Sequence, residues 1–255
     1  MKLSASYEVA YAEMLEAVAE WKPRKEIELA ACWPDWRPTF QSGRGILVIG
    51  RATNGFEPPF HLADLRAAGG AVHQAHLFRD TAETNRLSWL DAPHVGPRMR
   101  GTVGTRSPFW RVTAAAVRTL EAAVVNSQLG WSANVAWSNL AKVAPFARGN
   151  PPESLLTIQA RRCAALVPLE VEELKPQVVL VIAGAAWCDR FGTLGNGGLP
   201  WSRGAPVAAG PVLRAVREDG RLWLFCDRPE SKSESVFNDA VKQAMIPHLS
   251  WLGAA

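Results

Sequence analysis

Hydrophobic positions along this 255-residue chain fall into two kinds of run. Short all-apolar runs closed by glycine or small polar residues read as strands buried on both faces, and stretches with apolar positions three and four apart read as helices. The clearest strand is Ile46-Leu47-Val48-Ile49-Gly50, which passes straight into Arg51-Ala52-Thr53-Asn54-Gly55-Phe56. Similar runs predict strands over 133–139, 178–182 and 222–226. Helical spacing predicts helices over 6–20, 25–31, about 61–68, 108–126, 151–174, 185–191 and 234–245. Ser107-Pro108 supplies an N-cap residue and a first-position proline. Residues 33–38, Trp-Pro-Asp-Trp-Arg-Pro, read as an extended linker.

This alternation predicts an α/β fold, a three-layer αβα sandwich around a central four-stranded parallel sheet. Residues 1–44 read as a helical segment packed on the main domain, which covers 45–255. An insertion at about 57–107, with Pro58-Pro59 and Gly69-Gly70, reads mostly as loop, and loops of that length inside a compact domain are usually functional. Ligands of open α/β sheets collect outside the carboxyl ends of the strands. The polar segments after the first, second and fourth strands are therefore the candidate rim.

Composition narrows the function classes. Apolar content of 48% and charged content of 20% are ordinary for a globular protein. No apolar run approaches the ~20 residues of a membrane span. Acidic residues interrupt the N-terminal apolar pattern, against a signal or transit peptide. The expectation is a cytoplasmic monomer without a membrane partner. Four cysteines without a CxxC pair suit a reducing compartment, and five histidines without metal spacing predict no metal. The net charge is +4, with 21 arginines against 7 lysines. Five arginines (98, 100, 106, 111 and 118) and no acidic residue lie between 98 and 118. That stripe reads as a track for a polyanion or as a solvated helix face.

Neither GxGxxG, a P-loop nor GxSxG occurs, so dinucleotide, P-loop and serine-hydrolase readings have no support. What remains is Asn54, Asn139 and Arg228 at three strand ends, with Phe56 and Phe109 nearby in sequence. An asparagine amide offers a donor and an acceptor to a nucleobase edge, and a phenylalanine face can stack on the base.

At these residues the chain resembles the uracil-DNA glycosylase superfamily, above all its thermophilic iron–sulfur type. That type has a Gly-Glu-Ala-Pro-Gly loop after strand one, a Pro-Phe helix start and a strand ending in Thr-Asn-x-x-Lys. A His-Pro-Ser motif follows its strand four. The matching stretches are Gly50-Arg51-Ala52-Thr53-Asn54, Ser107-Pro108-Phe109, Ser138-Asn139-Leu140-Ala141-Lys142 and Arg228-Pro229-Glu230-Ser231. Asn150-Pro151-Pro152, Cys163 and Leu174-Lys175-Pro176-Gln177-Val178 lie between them in the family's order. The resemblance spans about residues 45–245.

It implies a DNA glycosylase that flips a base and leaves an abasic site. Asn54 and Arg228 take the catalytic positions, and Ala52, Thr53, Phe56, Phe109 and Asn139 surround the base. Arg51, Arg98, Arg100, Arg106, Lys142, Ser231 and Lys232 are the expected DNA contacts. The departures are as informative. Arg51-Ala52 stands where a water-holding carboxylate sits in many members, leaving Asn54 to orient water. Arg228 replaces the histidine and cannot shuttle a proton. The cluster ligands are missing, so neither an iron–sulfur cluster nor any other cofactor is expected. These changes and the insertion point to a modified base larger than uracil, such as a bulky phage-modified cytosine excised in phage defence. A uracil or deaminated-base repair enzyme, a DNA-binding module without turnover and a nucleotide-directed α/β enzyme are the alternatives.

Overall fold

The structure, a computed structural model, describes residues 3–53, 58–85, 87–91, 107–124, 131–147, 149–194, 199–207, 210–230 and 232–252. The chain opens with α1 (Ala5–Ala19), capped by the Ser4 hydroxyl, which accepts from the Tyr7 N–H. Strands β1 (Leu29–Ala31) and β2 (Asp35–Trp36) precede the long strand β3 (Ile46–Ala52). Helices α2 (Leu62–Arg66), α3 (Gly70–Asn85) and α4 (Pro108–Val124) follow. Then come β4 (Val135–Ala141), β5 (Val143–Pro145) and the long helix α5 (Glu153–Leu174). The second half continues with β6 (Val178–Ile182), α6 (Ala185–Gly192), β7 (Ala205–Pro206), β8 (Val212–Glu218) and β9 (Arg221–Cys226). Helices α7 (Glu234–Met245) and α8 (Leu249–Leu252) end the described chain.

The central sheet is mixed, with seven strands in the order β2-β4-β3-β6-β9-β8-β7. Its middle four, β4-β3-β6-β9, are mutually parallel and correspond to the four strands expected from sequence. The three outer strands are antiparallel additions. β8 and β9 form a hairpin through Asp219-Gly220, both at positive φ, as a tight two-residue turn requires.

Side-chain alternation explains the layering, because successive strand residues point to opposite faces. Leu47, Ile49, Val179, Val181, Trp223 and Phe225 join a core with α1, α3 and α5. Ile46, Val48, Val178, Leu180, Leu222 and Leu224 join a second core with α4 and α7. Helices therefore cover both faces of a mostly parallel sheet.

Three expectations need correction. The segment at 25–31 is not helical: Leu29–Ala31 pairs with Val143–Pro145, and Asp35–Trp36 forms an edge strand on β4. Strand two lies at 135–141 rather than 133–139, because Trp131–Asn134 forms a 3-10 turn first. The described part of the insertion is not mostly loop. It carries the helix α3, whose Ala71, Ala75, Phe78 and Ala82 make a helical stripe buried in the α1–α5 core. Among the described residues no helix is long and apolar enough to cross a membrane.

Candidate functional site

The carboxyl ends of β3 and β4 lie side by side, with Gly50 paired to Asn139 and Ala52 to Ala141. An added Cβ on Gly50 would sit 2.5 Å from Asn139 Oδ1 and 3.5 Å from Phe109 Cε2. The missing side chain is thus what lets the asparagine lie over the strand end, with the phenyl ring beside it. Phe109 arrives on the first turn of α4 and is held edge-on against Trp110, ring centroids 4.9 Å apart. Trp110 leans in turn on Trp89 and Trp137. The structure brings Phe109 and Asn139 together, as the sequence predicts.

Two polar atoms at this end of the sheet have no partner. Asn139 is 2% exposed and its Nδ2 makes no hydrogen bond; Thr53 is wholly buried and its Oγ1 makes none. Leaving such a group unsatisfied costs about 1–3 kcal/mol. Asn139 Nδ2, on the Phe109 side of the sheet, is a donor available to a ligand's polar edge. Trp89 Nε1, buried beside Trp110, is also unpartnered. Ala52 is half-buried and packs against the α1–α5 core.

Farther along the rim, the ends of β3, β6 and β9 carry charge. Arg51 Nε donates to the Ala183 carbonyl at 2.5 Å, and its guanidinium lies 5.6 Å from the Trp187 ring centroid. Gly184, at φ +81°, leaves room for Arg51 Nη2 and Asp227 Oδ1, which stand 2.9 and 3.2 Å from where its Cβ would be. Burial and the nearby Arg228 guanidinium lower the Arg51 pKa. Arg228 is half-exposed and held in a two-point pair by Glu230, at 2.9 and 3.0 Å. Lys232 Nζ pairs with Asp227 Oδ2 at 3.0 Å. Burial works to raise both carboxyls. Lys232 and the Arg228 N–H nevertheless hold Asp227 below its ordinary value, and the Arg228 side chain does the same for Glu230. The rim is therefore a set of compensated cations that an incoming anion can enter by exchanging partners.

Lys142 is a correction. Its side chain is completely buried and its Nζ lies 2.5 Å from Glu170 Oε1, so it is no phosphate contact on the rim. The residues on either side, Ala141 and Val143, are themselves fully buried, so the strand carries this ammonium into the core. The insertion divides between the two faces of the sheet. Helix α3 packs on the α1–α5 side, opposite Asn139 and Phe109, and among the described residues of that segment Leu87, Trp89 and Leu90 reach the α4 side. Asn54, Phe56, Arg98, Arg100, Arg106 and Ser231 lie outside the described residues.

Sequence reasoning missed Asp227, Glu230 and Gly184. A polar residue directly after a fully apolar strand was the available signal for Asp227. The four cysteines are buried free thiols. Burial pushes Cys32, Cys163 and Cys188 up to about 12 and raises Cys226 as well. Among the described residues no group of histidine, cysteine, aspartate or glutamate is arranged to hold a metal ion. No protein-family model and no curated protein matches the chain.

Proposed function

We propose that the protein is a monofunctional DNA glycosylase, built on a uracil-DNA-glycosylase-like fold, that hydrolyses the N-glycosidic bond of a flipped, non-standard base. The observation that carries this reading is the buried Asn139 amide beside Phe109, whose Nδ2 makes no hydrogen bond. A ring that stacks and an amide that reads a polar edge are what a flipped base needs.

In this reading Asn139 addresses the base edge and Phe109 supports its face. Arg228, released from Glu230, stabilises negative charge on the departing base or on a flanking phosphate. Water adds to the sugar C1′ as the C1′–N bond breaks, and the bonding pair leaves with the base, which then takes up a proton. Asn54 is the candidate to orient that water. Arg51 and Lys232 are the proposed backbone contacts of the described rim, with DNA as the partner. Trp89, with its unpartnered Nε1, is the described residue of the insertion placed to enlarge the pocket. It supports the narrower proposal of a bulky modified cytosine, with phage defence as the role.

The test is incubation with oligonucleotides containing uracil, hypoxanthine or glucosylated hydroxymethylcytosine, followed by alkaline cleavage. Strand breaks at the modified position are expected, and Asn139→Ala should abolish them. No break on any substrate would overturn the enzyme reading. Salt-sensitive DNA binding without breaks would assign the rim to a binding module instead.

A further inference from the structure

The back of β4 holds a charged network that the base-reading face does not use. Strand alternation turns the Asn139 side chain toward α4, while the Ser138 side chain faces α5. There Lys142 Nζ donates to Ser138 Oγ at 2.6 Å and to the Asn139 carbonyl oxygen at 2.7 Å, and pairs with Glu170 Oε1 at 2.5 Å. The Tyr7 hydroxyl, from α1, donates to the same Glu170 oxygen at 2.7 Å. Lys142 and Glu170 are both wholly excluded from water.

Energy alone does not account for this arrangement. A buried ion pair rarely outperforms apolar side chains of similar volume, because desolvation offsets the attraction. Here the second carboxylate oxygen, Glu170 Oε2, is itself buried without a partner. What the ammonium does achieve is geometric. All three of its contacts are fixed, and two of them are on the residue that faces the pocket and on the residue before it.

We propose that the buried Lys142–Glu170 pair is a positioning device that clamps the carboxyl end of β4 from behind and so fixes where Asn139 presents its amide. The inference rests on the reading of Asn139 as the base-contacting residue. Lys142 never touches the substrate; it acts through the Asn139 main chain. Glu170 keeps the ammonium charged and oriented inside the core, and Tyr7 ties the N-terminal helix to the same point. Apart from the Cys32 thiol, against which the Asn139 side chain lies, no protein group anchors the Asn139 amide in one rotamer. The clamp substitutes for the hydrogen bond that only the ligand supplies.

The experiment uses the full chain and two variants. Lys142→Met/Glu170→Met removes the pair as a unit, and Ser138→Ala removes one contact while keeping both charges. Backbone amide exchange over 135–145 is measured with no substrate present. Single-turnover base release is measured on whichever oligonucleotide the wild type cleaves, and affinity is measured for a tetrahydrofuran abasic-site oligonucleotide, which has no base to read. The double variant is expected to unfold cooperatively, to exchange about tenfold faster over that segment and to release base about tenfold more slowly. Its affinity for the abasic probe should be unchanged. Ser138→Ala should move exchange and base release in the same direction by a smaller factor, and it carries the test if the double variant does not fold. Unchanged exchange with unchanged base release overturns the clamp, as does an equal loss of abasic-probe affinity, which indicates general damage. If the wild type releases no base at all, the glycosylase reading fails. The clamp is then judged on exchange alone: faster exchange in a folded variant supports it and unchanged exchange overturns it.

Discussion

Gly50 and Asn139 are paired across the parallel β3–β4 ladder, and the asparagine oxygen occupies the space a Gly50 side chain would take, 2.5 Å from an ideal Cβ. No real Cβ tolerates that approach, so any side chain at position 50 must push Asn139 aside. Gly50→Ala is therefore expected to displace the Asn139 amide, while Phe109, 3.5 Å from the new Cβ, stays in ordinary contact. Base release should fall by about tenfold or more while the protein stays folded, since about 1–3 kcal/mol of overpacking is survivable for a domain this size. Single-turnover kinetics beside a thermal melt checks this; wild-type kinetics in a folded Gly50→Ala protein would contradict the placement.

The Lys142–Glu170 pair makes a separate stability prediction. Lys142→Met alone leaves the Glu170 carboxylate buried without its cation, at a cost of about 3–5 kcal/mol. The paired Lys142→Met/Glu170→Met change should cost clearly less, because neither charge is stranded. Tyr7→Phe, which removes one hydrogen bond to a charged oxygen, should cost about 1.5–3 kcal/mol. Urea unfolding of the three variants measures all of this, and a double variant less stable than Lys142→Met would refute the account.

Acid should release the charged rim in a defined direction. Asp227 and Glu230 both have folded-state pKa values below their ordinary ones, so the folded state favours their ionised forms. Their contribution is fully present above the unfolded carboxylate pKa, about 4, and is lost as pH falls through the lower folded values. The melting-temperature difference between wild type and Glu230→Gln should therefore be constant near neutrality and shrink on acidification below about pH 4. A difference that grows as pH falls would reverse the assignment.

Thiol chemistry offers a fourth check. All four cysteines are buried, and burial holds three of them at about 12, so the native protein carries almost no thiolate at pH 8. Iodoacetamide should leave the native protein unlabelled and add four groups after denaturation, as read by intact mass. Rapid native labelling of any cysteine would show that its surroundings open.

Much of the fold was legible because the signals were local. Ile46–Ile49, Val178–Ile182 and Leu222–Cys226 are continuous apolar runs because both faces of those strands are covered, and such runs need no knowledge of neighbours. The Pro108 helix start and the Leu174-Lys175-Pro176 stop were equally local: Lys175 adopts φ +46° and closes α5. Helix α3 escaped notice because its buried stripe is mostly alanine, behind Gly69-Gly70 and among polar residues. The β8–β9 hairpin left a readable sign, Asp219-Gly220 between two alternating segments.

The site divides along the same line. By itself the sequence determined that Asn139 lies near a strand end, that Arg228 follows a strand and that Phe109 begins a helix, because strand ends and helix starts are written in neighbouring residues. Tertiary structure alone decided what each polar group meets. Lys142 sits three residues after Asn139 and reads as a surface cation, yet Glu170, twenty-eight positions on, holds it in the core. Asn139 Nδ2 and Thr53 Oγ1 look like any other polar atoms in the sequence, and only packing removes their water without giving them a partner. Burial and pairing arise between segments far apart in the chain, so no local pattern encodes them.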